Sequence, residues 1–198
     1  MNVLLLRACY APWVVTLLDG DPHCGHGQGV RTVILLRHGK SSWSDRTLAD
    51  LDRPLTPRGK RASKRIAKYM RRNRIRPALI LCSTSLRTRQ TLEAIEPSLD
   101  QGCSVELVPE LYAASERELL ERLQAVPGSA SSVMLIGHNP SLQQLALLLA
   151  SQGTDLTKLG EKFPTGALAT LAVDSESWVA LKPGDAELVD YVVPRDLG

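Results

Sequence analysis

Two histidines follow short apolar segments, and each has a glycine beside it. The first follows "TVILLR" within the triplet Arg37–Gly39, and the second, His138, follows "SVMLIG". A neutral imidazole can act as a nucleophile or move a proton near neutral pH. The planar N–H donors of an arginine such as Arg37 can neutralise an oxyanion. These residues indicate chemistry on an anionic group.

Three segments are predicted to be the inner strands that position these residues. They are "TVILLR" (32–37), "ALILCS" (78–83) and "SVMLIG" (132–137), which are continuous and apolar, as parallel strands buried on both faces are. Ligand sites in such sheets lie beyond the carboxyl ends of the strands. His38, His138 and Arg87, which follows the second strand, are therefore expected to meet at one edge.

Helical segments alternate with these strands. Thr56 before Pro57 is a predicted helix start, as is Ser85, and Asn139 before Pro140 is read as the cap of a third helix. Alternating strands and helices predict an α/β fold, a three-layer α/β/α sandwich around a mostly parallel sheet. Two of these helix starts would face the histidines, which favours an anion there.

The last third of the chain is predicted to complete the sheet. "GALATLAVD" (166–174) and "WVALKP" (178–183) are interpreted as a strand pair near a sheet edge. "ELVDYVVP" (187–194) is read as a final strand or a packed tail. The sequence shows no internal repeat, and residues 31–198 are expected to form a single domain.

Composition limits the possible partners. The 198 residues carry a formal net charge of only +3, and the densest basic run, Arg58 to Arg76, has the spacing of a solvated helix face. We therefore predict no nucleic-acid partner. The four cysteines lie far apart without a CxxC pair, which favours a reducing, cytoplasmic location.

Residues 1–30 differ from the rest and are predicted to be a disordered extension. Arg7 and Pro12 interrupt their apolar run, so the segment is a poor signal peptide and a poor membrane anchor. The stretch "HCGH" (23–26) could bind a soft metal, but it lacks the paired spacing of a structural zinc site. We predict no metal site, no cofactor and no membrane association.

Three motifs together resemble those of the histidine phosphatase superfamily, which has the phosphoglycerate-mutase-like fold. They are "LLRHGKSSWSD", "CSTSLRTRQT" and "VMLIGHNPSL". The compact length, "DRPLTPRGKRAS" and "FPTGALATL" are similar to the SixA-type phosphohistidine phosphatases. The order and spacing of these motifs over residues 32–173 are far more specific than the triplet alone.

The resemblance implies roles for residues already singled out. His38 would be the nucleophile that becomes a phosphohistidine, Arg37 and Arg87 would clamp the phosphoryl oxygens, and His138 would complete the pocket. Planar guanidinium groups suit this task without a metal. Gly39 would let the phosphate approach the backbone closely.

Two further positions follow from the same resemblance. Ser44 stands where phosphoglycerate mutases usually have an asparagine that contacts phosphate, a departure that favours a phosphatase over a mutase. Glu110 stands at about the place of the family's general acid. Alternatively, Glu110 is a carboxylate at a helix start or in a loop without a catalytic role.

Three functions remain open at this point. The first is a metal-independent phosphatase that acts through phospho-His38, on phosphohistidine in a protein. The second is a phosphatase or mutase for small phosphorylated metabolites, and the third is a non-catalytic phosphate-binding module. Only 50 residues separate Arg87 from His138, which leaves little chain for the lid that mutases insert there.

Overall fold

One mixed sheet runs through the computed structural model, which describes residues 30–197. Over these residues its strands follow the order β3-β2-β4-β1-β6-β7-β5. They are β1 (Arg31–Arg37), β2 (Leu79–Ser83), β3 (Ser104–Val108), β4 (Ser132–Gly137), β5 (Ala150–Gln152), β6 (Leu168–Val173) and β7 (Ala186–Val192). Strand β6 pairs antiparallel with both of its neighbours, and every other pair is parallel. The prediction of a mostly parallel sheet with β1, β2 and β4 inside it is confirmed.

Helices cover both faces of this sheet. In the described residues they are α1 (Pro57–Arg72), α2 (Leu86–Ile95), α3 (Glu116–Gln124), α4 (Ser141–Leu149) and α5 (Leu156–Glu161). Val33 and Leu35 of β1 point into a core shared with α3 and α4. Ile34 and Leu36, which alternate with them, point into a second core shared with α1. This division confirms the predicted α/β/α layers.

The predicted helix starts are confirmed at two of three places. The Thr56 hydroxyl accepts a hydrogen bond from the Gly59 amide, and the Ser85 hydroxyl accepts one from the Thr88 amide. The prediction for Asn139 was wrong, because α4 begins at Ser141 and is preceded by Pro140. The side-chain nitrogen of Asn139, Nδ2, instead donates to the Phe163 carbonyl at 3.2 Å.

The prediction of a strand at "WVALKP" was also wrong. Residues Trp178–Ala180 form a single 3-10 turn. The Trp178 side chain is buried, and its indole N–H donates to the Ala130 carbonyl at 2.7 Å, which draws this segment away from the sheet. The strand that pairs with β6 on the side away from β1 is β7. The prediction of a final strand in "ELVDYVVP" is thereby confirmed.

The predicted extension lies outside the described residues, apart from Val30, and so does "HCGH". Between residues 30 and 197 no helix has both the length and the apolar character needed to cross a membrane.

The first turn of α1 packs directly on the loop that follows β1. The Thr56 amide donates to the Lys40 carbonyl at 2.8 Å. A Cβ atom added to Gly59 would lie only 2.3 Å from the same carbonyl oxygen, and one added to Gly39 would lie 2.9 Å from the Ser63 hydroxyl. Two glycines thus allow helix and loop to come together, which fixes the backbone around His38.

We expect Gly59→Ala to destabilise the protein by roughly 1–3 kcal/mol, because the new methyl group must push the Lys40 backbone away. Gly160→Ala in α5 is the matched control, since its Cβ would meet only the Leu147 side chain at 3.6 Å. That change should be neutral or slightly stabilising, because alanine favours a helix over glycine. Urea unfolding of both variants measures the difference, and equal stabilities would contradict this account of the contact.

Candidate active site

The two histidines lie side by side because β1 and β4 are neighbouring parallel strands in register. Arg37 is paired with Gly137, so the residues that follow, His38 and His138, leave the sheet together. Their ring centroids are 5.2 Å apart, and each residue is only 8% exposed. The expected meeting of the two histidines at the carboxyl edge is therefore observed in the structure.

His38 is held in one tautomer by its own loop. Its Nδ1 lies 2.7 Å from the Gly39 carbonyl oxygen, which can only accept a hydrogen bond. Nδ1 therefore carries the proton and Nε2 keeps a free lone pair. The Gly39 amide donates to the Thr91 hydroxyl at 3.0 Å, which anchors the loop to α2. An imidazole fixed in this way has the form of a nucleophile.

His138 is held from two sides by residues that follow β2. Its Nε2 lies 2.9 Å from the hydroxyl of Ser83, the last residue of that strand. Its Nδ1 lies 3.4 Å from Nη2 of Arg87, which can only donate. The neutral imidazole therefore accepts at Nδ1 and donates from Nε2 to Ser83.

Arg87 lies in the first turn of α2 and is almost buried, at 7% exposure. Its Nη2 donates to a side-chain oxygen of Asp50 at 2.8 Å, and its Nη1 donates to the Asp50 carbonyl. The Tyr112 hydroxyl donates to the same carboxylate oxygen at 2.5 Å. Hydrogen bonds from Tyr112 and Arg87 keep the pKa of Asp50 below its usual value, so this carboxylate is ionised at neutral pH.

Arg37 approaches the histidines from the end of β1. Its Nη1 donates to the Phe163 carbonyl at 2.6 Å, whereas its buried Nε–H has no hydrogen-bond partner within the described residues. The Gly166 amide donates to the carbonyls of both Arg37 and His38. Residues 163–166 therefore hold the start of the loop after β1 through hydrogen bonds. The Nε–H of Arg37 remains available to donate to an anion.

Burial lowers the pKa of both histidines. The pKa of His38 falls to about 3, mainly because the ring is buried, with the positive charges of Arg87 and Arg37 acting in the same direction. The pKa of His138 falls to about 4, again by burial first and then through Arg87. Both imidazoles are therefore neutral at pH 7, as nucleophilic attack requires.

The structure places the other predicted residues farther from the histidines. Ser44 is exposed, and its hydroxyl pairs with that of Ser42 at 2.8 Å. Glu110 is exposed and lines a surface groove with Glu118 and Arg122. Among residues 30–197 no hydrogen bond joins Glu110 or Ser44 to His38 or His138. A general-acid role for Glu110 and phosphate-binding roles for Ser44 and Gly39 stay predictions.

The sequence analysis missed Asp50 and Tyr112. Asp50 binds Arg87, and Tyr112 contacts both Asp50 and the His138 ring. The Tyr112 ring meets the His138 ring edge-on at a centroid distance of 5.4 Å. Tyr112 follows β3, a fourth parallel strand whose carboxyl end reaches the same edge, and this rule could have pointed to it. Asp50 lies in a loop with no periodic pattern, so no local signal marked it.

No group of three or more histidine, cysteine or carboxylate side chains that could hold a metal ion occurs in residues 30–197. The cations beside His38 are Arg37 and Arg87. A buried neutral nucleophile between two guanidinium groups can receive a phosphoryl group, because transfer needs chiefly positioning and neutralised charge. Metal independence itself stays a prediction.

Comparison with known proteins gives the family. The sequence model of the histidine phosphatase superfamily (branch 1) matches residues 33–121. Phosphohistidine phosphatase SixA of Escherichia coli (strain K12) is 30% identical over 72% of this chain and 85% of its own length. The chain belongs to the histidine phosphatase superfamily. Its fold is the phosphoglycerate-mutase-like fold found in this superfamily.

Solved structures of the superfamily agree. A candidate SixA from Nakamurella multipartitia is 32% identical with a TM-score of 0.72, over 84% of this chain and 97% of that one. The protein histidine phosphatase SixA complexed with tungstate is 27% identical with a TM-score of 0.69, over 84% and 99% of the two chains. The similarity to these SixA-type members of the superfamily supports a phosphatase activity for this chain.

We expect the two histidines to make stability fall as the pH falls. In the unfolded chain their pKa is near 6.5, whereas in the folded chain it is about 3 for His38 and about 4 for His138. Below about pH 6.5 the unfolded state binds protons that the folded state does not. The free energy of unfolding therefore falls as the pH drops below about 6.5. It continues to fall until the pH reaches the pKa values of the folded state.

Urea unfolding at pH 7 and pH 5 checks this expectation. The wild type should lose up to about 2 kcal/mol per histidine over this interval. A His38→Gln/His138→Gln variant should lose less stability, because it lacks the two titrating rings. The carboxylates titrate alike in both proteins, so their contribution cancels in the comparison. An equal loss in the two proteins would show that neither histidine is held neutral by burial.

Proposed function

We propose that this chain is a metal-independent phosphatase that forms a phosphohistidine at His38, and that it acts on phosphohistidine in a protein. The observation that carries the proposal is the state of His38. Its Nδ1–H is bound to the Gly39 carbonyl, which leaves Nε2 free beside the other site residues. Binding alone would need cations but no such nucleophile.

The chemistry has two steps. In the first, the Nε2 lone pair of His38 attacks phosphorus and the P–N bond of the substrate breaks; the substrate imidazole, protonated on its other ring nitrogen before the attack, leaves as a neutral ring. In the second, water attacks the phosphorus of phospho-His38, which returns the neutral histidine and inorganic phosphate. Arg37 and Arg87 would neutralise the oxyanion charge that is present in both steps. A SixA relative is described in complex with tungstate, an oxyanion, which supports an anion site of this kind.

In the part of the chain that the structure describes, no carboxyl group is bound to His38 to act as an acid, which supports a phosphoramidate substrate. Asp50 is the carboxylate that contacts Arg87, and its lowered pKa keeps it ionised. Within residues 30–197 no carboxyl group hydrogen-bonds to His38 or His138. Imidazole, with a pKa near 6.5, can depart without an enzyme acid much more readily than a serine alkoxide.

The chain length also favours a substrate on a protein surface. The residues between Arg87 and His138 form the rest of α2, then β3, α3 and β4. The apolar face of α3, Leu119, Leu120 and Leu123, is buried in the core below the sheet. This stretch of chain is therefore used by the sandwich, and no lid is built from it to enclose a small metabolite.

We expect His38→Ala to abolish turnover and the phosphoenzyme. A brief reaction with ³²P-labelled phosphohistidine peptide, quenched in alkali, should label the wild type and leave His38→Ala unlabelled. His138→Ala is the matched control, because it removes the neighbouring imidazole and should slow labelling without preventing it. Label on His38→Ala, with an unchanged circular dichroism spectrum, would disprove the nucleophile.

We expect phosphohistidine to exceed phosphoserine in kcat/KM by at least about 10²-fold, the order of one general-acid contribution. Both substrates should be presented in the same peptide at one pH. Glu110→Gln should change the phosphohistidine rate little, as should Glu121→Gln, its control in the same groove. A phosphoserine peptide or a sugar phosphate that is turned over more efficiently would overturn the substrate proposal and favour the metabolite phosphatase.

A further inference from the structure

The basic residues of the chain are concentrated in one helix and the turn after it. Ten of the 24 lysines and arginines lie between Pro57 and Arg76, a segment without aspartate or glutamate. The rest of the sequence holds 14 basic and 21 acidic residues, a formal charge of −7. The small net charge of +3 therefore conceals a strongly positive α1 in an otherwise acidic chain.

One side of α1 presents this charge to solvent. Arg61, Lys64, Lys68 and Arg72, called the basic band here, are all exposed. Their spacing places them within about 80° of one another around the helix axis. Within the described residues none of the four forms a salt bridge or a side-chain hydrogen bond. The carboxylates of the described residues therefore do not neutralise the band.

The first turn of α1, which precedes the basic band, lies close to the phosphate site. Gly59, in the first turn of α1, packs on the backbone of Lys40, two residues after His38. Helix α1 has 16 residues and is therefore about 24 Å long. Any protein that places a phosphorylated side chain on His38 must cover the surface around the first turns of this helix.

The loop between β1 and α1, residues 40–55, carries exposed apolar side chains. Trp43 is 70% exposed, and Leu48 and Leu51 are 39% and 42% exposed. The same loop carries Asp50, which binds Arg87. Tryptophan and arginine are enriched at the centres of protein interfaces. A loop with exposed apolar groups that leads directly into a helix with unneutralised positive charge has the composition of a protein interface.

We infer that the basic band and the 40–55 loop form the docking surface for an acidic partner protein that carries the phosphorylated histidine. The inference rests on the proposed function, whose substrate it describes further. A protein interface covers about 800 Å² on each partner, enough to include His38 and the first turns of α1. Opposite charges would speed association at low salt.

Two other anionic partners fit this surface less well. The apolar side of α1, which includes Ile66 and Met70, is buried against the sheet, so α1 is not an amphipathic helix that could lie in a lipid surface. Stacking of successive bases needs several exposed rings, whereas this surface offers Trp43, one face of which is covered by the Arg53 guanidinium. Tyr69, the aromatic residue of α1, donates its hydroxyl to Asp190.

The test compares two phosphohistidine peptides that differ only in flanking residues, glutamate in one and glutamine in the other. For the wild type at low ionic strength, kcat/KM should be about tenfold or more higher with the glutamate peptide. The preference should shrink at 0.3 M salt, where charges are screened within a few ångströms. Arg61→Glu/Lys68→Glu should remove the preference and leave turnover of free phosphohistidine unchanged.

Arg117→Glu/Lys182→Glu is the matched control, because it makes the same charge change at exposed positions outside α1 and the 40–55 loop. This control should keep the preference for the glutamate peptide. An equal effect of the two double variants, or no preference in the wild type, would overturn the docking surface. Tighter binding of the wild type to RNA or to anionic vesicles than to the glutamate peptide would also overturn it, in favour of that partner.

A separate measurement distinguishes this inference from the proposed function. Fluorescence anisotropy can follow the binding of unphosphorylated glutamate and glutamine peptides to His38→Ala without any turnover. Loss of the glutamate preference in the Arg61→Glu/Lys68→Glu background supports the surface even if phosphohistidine proves not to be the substrate. Turnover of phosphohistidine with equal binding of both peptides would leave the proposed function standing and refute the surface.

Discussion

The parallel pairing of β1 with β4 is the constraint on which the site depends. It places Arg37 opposite Gly137, so the two histidines leave the sheet at the same level. A shift of one residue would turn every side chain of β1 to the other face and move Val33 and Leu35 out of their core. The core packing that fixes the register of β1 against β4 therefore also fixes the distance between His38 and His138.

The site combines this rigid spacing with an unusual electrostatic balance. Two buried imidazoles stay uncharged because the ring of His38 is desolvated and because guanidinium groups stand nearby. Asp50 and the Phe163 carbonyl hold these guanidinium groups in place. Positive charge is thus provided by arginines, which remain protonated, while His38, the proposed nucleophile, keeps its lone pair.

The sequence predicted the features that arise from local pattern. Apolar runs marked β1, β2 and β4, and Thr56 and Ser85 marked helix starts, because both signals act within a few residues. The position of His38, His138 and Arg87 followed from one rule about strand ends. Asn139 and the "WVALKP" segment were misread because the Phe163 carbonyl and the Ala130 carbonyl, distant in the chain, compete for their side-chain donors. Asp50 was missed for the same reason, since its partner Arg87 is 37 residues away.

Strand β1 is the first described strand, yet its neighbours in the sheet are β4 and β6. The Gly166 amide, which supports the carbonyls of Arg37 and His38, belongs to the last quarter of the chain. During synthesis on the ribosome, the segment with His38 therefore emerges more than a hundred residues before the backbone that shapes it. Pairings this distant in sequence close slowly. A nascent chain thus carries an unformed site until the backbone around Gly166 has been made and has joined β1.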